Sequence, residues 1–378
     1  MGGIYVHIPF CRQACTYCDF HFSTNHTRLE DIVAAICAEA QLRSDFFPRG
    51  EAIETLYLGG GTPSLLGAAA LAALIEHLRQ TFPFAPDAEI TLEANPDDLS
   101  PVQLEALAQT EINRLSIGIQ SFHDADLRLM RRSHDAAQAH ACLKDTWKMG
   151  FHNLSLDLIY GIPGASMARW RDNVQRVLEY RPAHLSAYAL TVEPRTQLQH
   201  QVIRNQVVLP PDQSYQEQFF FLIDALEAAG YEHYELSNFA RPGHRSCHNS
   251  NYWLGVPYLG LGPSAHSYRN HSRSWNVRNN ARYLKAIAAG GTGLQETEQL
   301  SALDQLNEYL MTHLRKAEGV DLRRLKREWG FDLLHAEAAA VDQFAQNGWL
   351  AIEGEQLRLH RTGKMMSDAI IREFFQVE

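Results

Sequence analysis

The apolar positions of the chain fall into two alternating rhythms. Short, mostly aliphatic runs recur at Ile4–Ile8, Ile53–Leu58, Glu89–Glu93, Arg114–Ile119, Asn153–Ile159 and His184–Leu190. Between them apolar residues return every three or four positions, as Ile32, Ile36, Ala40 and Leu42 do within Thr27–Phe47, and Leu71, Leu74, Ile75 and Leu78 further on. Helical stretches also fill 124–149 and Ser166 to Tyr180, and Ser100-Pro101-Val102-Gln103 predicts a helix start with a capping box and Pro in the first turn. Strands alternating with helices predict an α/β fold with a parallel sheet and right-handed crossovers. Six such units fall two short of a closed eight-fold barrel, so a partial (β/α)6 barrel is expected.

Residues 192–300 break this rhythm. Asp212–Ala229 has helical spacing, Tyr231–Leu236 reads as an added strand, and Asn238–Arg278 is rich in Gly, Pro, His, Asn and aromatics. A loop that long inside a compact protein usually has a function. A third pattern begins at Ser301. Ser301-Ala302-Leu303-Asp304 is a helix start, Leu322–Trp329 and His335–Asn347 carry helical spacing, and Leu350–Leu359, with Gly354 in its middle, reads as a hairpin. Helices followed by a hairpin predict a small winged-helix-like α+β domain. The expected division is a partial barrel over 1–191, an irregular extension over 192–300 and a C-terminal domain over 301–378.

Polar residues with chemical potential gather where the strands end. Gly59-Gly60-Gly61-Thr62-Pro63 follows the second strand, Glu93 ends the third, Gln120 follows the fourth and Asp157 lies late in the fifth. The C-terminal ends of barrel strands are where active sites are built. Glycines there let backbone approach a ligand closely, although an ordinary strand-to-helix turn reads the same way. A carboxylate within an apolar strand, such as Asp157, is costly to bury unpaired. On the same rim, after the first strand, Cys11, Cys15 and Cys18 follow one another at x3 and x2 spacing. A structural zinc site would need a fourth ligand such as His7 or His21. A four-iron cluster on three thiolates would leave one iron open to a ligand.

Composition narrows these choices. Of the six cysteines, Cys37, Cys142 and Cys247 are scattered, which suits a metal site in a reducing compartment better than a disulfide framework. No apolar run is long enough to span a membrane, and Met1–Ile4 leads straight into the first strand without a signal peptide. A net charge of −10 disfavours a nucleic-acid substrate. Residues 301–378 hold 10 Lys and Arg against 13 Asp and Glu, so the winged-helix pattern points to packing or docking rather than DNA.

The cysteine segment, Y-V-H-I-P-F-C-R-Q-A-C-T-Y-C-D-F at 5–20, resembles the radical SAM enzymes. Y-x-H-I-P-F-C, G-G-G-T-P, E-x-N-P, G-x-Q-S-F and D-L-I-Y-G-I-P then appear in order. Over nearly the whole chain they resemble the oxygen-independent coproporphyrinogen III dehydrogenases (HemN) and their relatives. The resemblance implies a [4Fe–4S] cluster on Cys11, Cys15 and Cys18, with S-adenosylmethionine (SAM) on the open iron. It implies SAM contacts from Tyr5, Tyr17, Gly60, Gly61, Thr62, Glu93, Gln120, Arg132 and Asp157, with Arg131 competing for the role of Arg132.

Two features separate the chain from the dehydrogenases. Phe20 stands where they carry a fourth cysteine, and their N-terminal extension is missing before the cluster motif. Cys247-His248-Asn249-Ser250-Asn251-Tyr252-Trp253 contains H-N-x-x-Y-W, typical of the HemW heme chaperones, which residues 258–267 also resemble. That resemblance implies heme as cargo, with His248 on the heme iron and Tyr252 and Trp253 against the porphyrin. Cys247 is a candidate second ligand, and His233, His244, His266 and His271 are alternatives. It also implies heme-accepting respiratory proteins as partners, and a cytoplasmic protein reaching the inner face of the membrane, with oligomerisation open. The rival expectation is radical decarboxylation of coproporphyrinogen III. A third, RNA modification, is disfavoured by charge and by H-N-x-x-Y-W.

Overall fold

A computed structural model describes residues 2–377; Met1 and Glu378, the ends of the first and last expected domains, lie outside the described residues. β1 (Gly2–Ile8) leads through the cysteine loop to α1 (Leu29–Leu42), and β2 (Ile53–Gly60) through a short 3-10 turn to α2 (Gly67–Thr81). β3 (Phe84–Ala94), α3 (Pro101–Leu107), β4 (Arg114–Gln120), α4 (Asp124–Leu129) and α5 (Ala136–Lys148) follow. β5 (Leu154–Tyr160), α6 (Met167–Tyr180) and β6 (His184–Ala189) complete the six units. Each strand pairs in parallel with the next in sequence. That order requires every crossover to pass on one side, so the helices coat one face of a partial barrel. Ile4, Val6, Leu58, Leu92 and Ile117 pack there with Ile32, Ile36, Leu71 and Leu78 in one continuous core. At the start of α3 only half of the expected capping box forms. Ser100 Oγ accepts from Gln103 N at 3.3 Å, while Gln103 Nε2 is buried without a partner.

The extension continues this sheet at both edges. α7 (Gln197–Ile203) and α8 (Asp212–Ala228) lead to β7 (Glu232–His233) and β8 (Asn238–Ala240), which add antiparallel strands beyond β6. The strand expected over Tyr231–Leu236 is thus only two residues long. It is cut short by a turn in which the Glu235 carboxylate accepts from Ser237 N and the Asn238 amide. α9 (Cys247–Leu254), β9 (Tyr258–Leu261), β10 (His266–Arg269), β11 (Ser272–Asn276), α10 (Asn280–Ala288) and β12 (Gln295–Gln299) come next. β9 lies parallel to β1, and β10, β11 and β12 continue outward antiparallel, giving one open twelve-stranded sheet. The long loop expected over 238–278 is therefore an ordered sheet edge with a helix. Its strands are short and half polar, so they carry no apolar run, and its turns use positive φ at Gly262, Ser264, Asn270 and His271.

α11 (Ala302–Leu314) opens on a full capping box between Ser301 and Asp304. It is followed by β13 (Val320–Asp321), α12 (Leu322–Trp329), α13 (Leu333–Ala336), α14 (Ala338–Gln346), β14 (Leu350–Glu353), β15 (Gln356–Leu359) and α15 (Ser367–Phe374). The single helix expected over His335–Asn347 is two helices broken at Glu337, whose backbone leaves the helical region. Leu310, Leu325, Leu357, Ile370 and Phe374 form a buried cluster of their own, around the small sheet β13-β15-β14.

Candidate functional site

The cysteine loop leaves β1 at Ile8 and is held by the glycine turn after β2. Gly61 N donates to Ile8 O at 2.8 Å and Thr62 N to Phe10 O at 2.7 Å. The Thr62 side chain also hydrogen-bonds Cys11. Only glycine fits at 61, because a Cβ would stand 2.5 Å from Phe10 O and 2.7 Å from Ile8 O. On the other side Arg12 Nε donates to Asp98 Oδ1 at 2.6 Å, and Ser64 Oγ holds the second Asp98 oxygen at 2.9 Å. Gly60 lines the neighbouring cavity, whereas Gly61 and Thr62, read from the sequence as cofactor contacts, pin the loop. Gly61→Ala should therefore push Phe10 and Cys11 out of place. Iron bound per chain after anaerobic reconstitution is expected to fall several-fold with helical content unchanged, and wild-type iron uptake would show the turn to be dispensable.

The donor set suits a cluster better than one ion. Among the described residues, no three His, Cys, Asp or Glu side chains close around a single ion position. Zinc would draw its sulfurs onto one centre at about 2.3 Å each, whereas a cluster distributes its thiolates over separate irons. Of the two histidines weighed as a fourth ligand, His7 has both ring nitrogens engaged and His21 has its Nε2 engaged. His7 bonds Tyr5 OH through Nδ1 at 3.2 Å and His21 O through Nε2 at 2.8 Å, and His21 Nε2 bonds Asn280 Oδ1 at 2.7 Å. Burial pushes Cys11 up to about 11 and Cys18 up to about 12, so the metal-free thiols are protonated and loading releases protons.

β4 delivers the next residues. Its pairing with β5 slips between Ile117 and Gln120, and Gln120 has a φ of +63°. A non-glycine residue in the left-handed region is uncommon, and such strain collects at functional sites. Arg132 Nη2 donates to Asn95 Oδ1 and, at 3.0 Å, to Gly118 O. Its Nη1 lies 3.5 Å from both Cys15 Sγ and Tyr17 OH, and its Nε is buried without a partner. Burial opposes the guanidinium charge, but Tyr17 and Cys15 outweigh it and raise the Arg132 pKa. Arg131 turns away to Gln197 Oε1 at 2.8 Å, so only Arg132 stands at the cysteines.

Two carboxylates face the same rim. Glu93 accepts from Tyr57 OH at 2.8 Å and Gly60 N at 3.2 Å. Burial pushes it up to about 7, and burial likewise raises Asp157 to about 6 against hydrogen bonds from Ser186 and Ser116. Because both pKa values are raised, the folded chain keeps protons that the unfolded chain has already lost. The associated stability is complete below the ordinary carboxylate pKa and is lost as pH rises through 6–7. Glu93 contributes a fall on the order of 3 kcal/mol from acid to neutral pH, against the opposite slope of the buried histidines, so the measurable quantity is the difference between wild type and Glu93→Gln in urea unfolding of the metal-free protein. The wild type should lose about that much relative to the variant as pH rises; a pH-independent difference would remove Glu93 as its source.

Behind the rim runs an aromatic column. Tyr5 stacks on Tyr57 at 6.1 Å, Tyr57 on His248 at 5.0 Å, and Tyr252 meets His248 edge-on at 4.9 Å. His248 is 1% exposed. Its Nδ1 bonds Thr55 Oγ1 at 2.8 Å and its Nε2 bonds Tyr252 OH at 2.9 Å. Burial and then the charge of Arg114 lower its pKa to about 3. The expected iron ligand thus has no free nitrogen, which corrects the reading from sequence. The reason is helical: H-N-x-x-Y-W forms α9, and four-residue spacing puts His248 and Tyr252 on one face, against β1 and β2. The start of α9 is fixed by Glu89, which accepts from Cys247 N and His248 N at 3.1 and 3.0 Å.

Tyr252 and Trp253 line a cavity of about 1110 Å³ that begins at Tyr5, Gly60 and Glu93. It runs past the β10–β11 ribbon to α11 and α12 of the C-terminal region. His266 and His271 line it; His233, His244 and Cys247 do not. Sequence reasoning missed Asn95 and Gly118, which sit inside the quoted E-x-N-P and G-x-Q-S-F motifs, and the Arg12–Asp98 clamp. It also missed Tyr57, a strand residue with no local signal.

The family model of the radical SAM superfamily matches residues 5–177, and that of the HemN C-terminal domain matches residues 300–366. A protein named heme chaperone HemW in Bacillus subtilis is 30% identical over 99% of each chain. Its namesake in Mycobacterium tuberculosis is 34% identical over 98% of this chain and 94% of that one. The solved structure described as "Coproporphyrinogen III oxidase (HemN) from Escherichia coli is a Radical SAM enzyme" aligns with a TM-score of 0.85. It covers 99% of this chain and 90% of that one at 24% identity, and it shares the fold. No helix among the described residues is long and apolar enough to cross a membrane.

Proposed function

Because the chain belongs to the HemW heme chaperone family of the radical SAM superfamily, we propose that it binds heme and hands it to heme-requiring proteins, respiratory ones among them. The observation that carries this reading is the cavity of about 1110 Å³ into which H-N-x-x-Y-W contributes Tyr252 and Trp253. Small-molecule pockets are typically ~300–1,000 Å³, so a porphyrin can be accommodated. The aromatic walls exclude water from its faces.

Cys11, Cys15 and Cys18, on the loop that contributes Asp19, Phe20 and His21 to the cavity lining, would hold a [4Fe–4S] cluster. When bound, the cluster with SAM on its open iron supplies one-electron reductive chemistry. The residues present fit SAM by charge. Glu93 and Asp157 offer carboxylates to its cationic and hydroxyl groups, Arg132 offers a cation to its carboxylate, and Gly60 leaves room for close backbone approach. Tyr5, Tyr17 and Gln120 complete the surround. Phe20, 68% exposed on the cysteine loop, lines the cavity where the dehydrogenases carry another cysteine. Delivery to respiratory clients places the protein in the cytoplasm, at the inner face of the membrane during transfer.

The test is anaerobic titration of the cluster-reconstituted protein with hemin, alongside incubation with coproporphyrinogen III and SAM. Saturable, near-stoichiometric heme binding with no protoporphyrinogen formed is the expected result. Turnover of coproporphyrinogen with only nonspecific heme uptake would overturn the reading in favour of the dehydrogenase.

A further inference from the structure

The β10–β11 ribbon presents one face to the cavity. His266 stands opposite Trp275 and Tyr268 opposite Arg273 across the antiparallel ladder. Side chains alternate along strands, so these four share a face, and all four line the cavity. The opposite face, with Ser267, Ser274 and Asn276, is buried. Tyr309 and Trp329, with ring centroids 5.1 Å apart, line the same cavity. Rings from the ribbon and from α11 and α12 thus line one slot, and such a lining suits a flat aromatic guest.

The histidines lining this cavity differ in what their rings already do. His7 uses both ring nitrogens, and His21 uses Nε2. His313 is buried, with its ring 3.8 Å from that of Tyr309 and its Nδ1 bonded to Tyr309 O at 3.0 Å. His266 is exposed, and among the described residues its ring makes only an aromatic contact, to Trp275 at 6.0 Å. Among the described residues neither ring nitrogen is hydrogen-bonded, so the neutral imidazole offers a free lone pair to a metal. His271 lines the same cavity from the turn between β10 and β11, beyond the reach of Trp275 along the ribbon.

The charges lining the slot are not equivalent. Arg273 is paired with Glu308, and Arg324 with Glu328. Among the described residues Arg278 has no acidic partner; it donates to the backbone carbonyl of Asp19 on the cysteine loop.

We propose that a planar metalloporphyrin dianion lies in this slot, with His266 as axial ligand to its iron and with Arg278 on its carboxylates. The assignment rests on the heme-chaperone reading and specifies its site. It gives the H-N-x-x-Y-W segment the role of a wall and moves iron ligation to the ribbon facing it.

The test uses hemin and the full-length, cluster-reconstituted protein, with absorption and electron paramagnetic resonance as readouts. His266 is exposed, so His266→Gly should fold normally. It is expected to bind hemin at least about ten-fold more weakly and to lose the imidazole-ligated spectrum. Free imidazole should restore that spectrum, which a merely structural defect would not allow. Arg278→Ala should weaken hemin about three-fold or more but leave the dimethyl ester of hemin unaffected. His271→Gly should behave as wild type. Wild-type protein that takes up no hemin saturably would overturn the chaperone reading and this site with it. Saturable wild-type binding with unchanged affinity and spectrum in His266→Gly would overturn the site alone, as would transfer of both effects to His271→Gly.

Discussion

Cys15→Ser is expected to reduce reconstituted iron and sulfide to background and to abolish saturable SAM binding, while the metal-free protein melts as wild type does. Serine preserves the shape of a partly exposed side chain, so the stability change should stay within about 1 kcal/mol. Cluster loading has no such tolerance, because a hydroxyl is a poor substitute for a thiolate on iron. His7 and His21 are committed to Tyr5, the backbone and Asn280. Cys142 is buried in the core along α5, and Cys247 is exposed at the start of α9. Cys15 is also the thiol that Arg132 approaches, at 3.5 Å, so its loss disturbs both the metal and the arginine that would meet the SAM carboxylate. Iron and sulfide are measured chemically on anaerobically reconstituted protein, and SAM binding by equilibrium dialysis. Wild-type iron content in the variant would mean that a residue outside the x3/x2 motif supplies the third ligand.

The parts of the molecule that were legible in the sequence are those in which one signal decides the outcome. Parallel strands buried on both faces read as continuous apolar runs, so all six strands from Ile4 to Leu190 are found, although β3 begins at Phe84, ahead of the expected Glu89, because its first residues are not an apolar run. The cysteine spacing and the strand-end carboxylates are also local, and the structure gathers Glu93, Gln120, Arg132 and the cysteine loop on one rim. The extension was not legible because its strands are short and edge-lying, with polar residues such as Ser267, Arg273 and Ser274 in the ladder. Nothing in the spacing of β9 announces that it will lie parallel to β1 on the far side of the sheet.

Residue roles were less legible than residue positions. Gly60, Gly61 and Thr62 read as one binding turn, yet the space around Gly61 is filled by the Ile8 and Phe10 backbone, so its purpose is to hold the loop. Arg131 and Arg132 could not be ranked from sequence. The left-handed φ of +54° at Arg131 sends neighbouring side chains to different partners, and only one reaches the cysteines. His248 is the clearest case. A histidine in an aromatic-rich segment reads as a ligand, but the partner that claims one of its nitrogens, Thr55, lies 193 residues away on β2. Tertiary hydrogen bonds of that kind leave no local trace.

His248→Ala is accordingly expected to act first on stability and only indirectly on heme. The substitution empties a site that is 1% exposed and removes the centre of the Tyr57–His248–Tyr252 column. It also leaves Thr55 Oγ1, fully buried, and Tyr252 OH without their partners. Each orphaned buried group costs about 1–3 kcal/mol, and the lost ring packing adds to this, so a loss of roughly 3–5 kcal/mol is expected at the upper end of single-residue effects. Because the folded imidazole stays neutral down to its lowered pKa of about 3 while the unfolded one takes up a proton below roughly 6.5, the loss should be smaller at pH 5, grow as pH rises towards 7 and be constant above that. Heme affinity should fall through the slackened Tyr252 and Trp253 wall, while the axial-ligand spectrum of whatever heme still binds stays that of wild type. Urea unfolding measures the first effect, and hemin titration well below the melting temperature measures the second. If stability were unchanged and the spectrum altered, His248 would have to leave Thr55 and Tyr252 to reach the iron. The column would then be a latch that heme opens rather than a fixed wall. Comparing His248→Ala with His266→Gly separates these cases, since one is expected to change stability with the spectrum kept and the other the spectrum with stability kept.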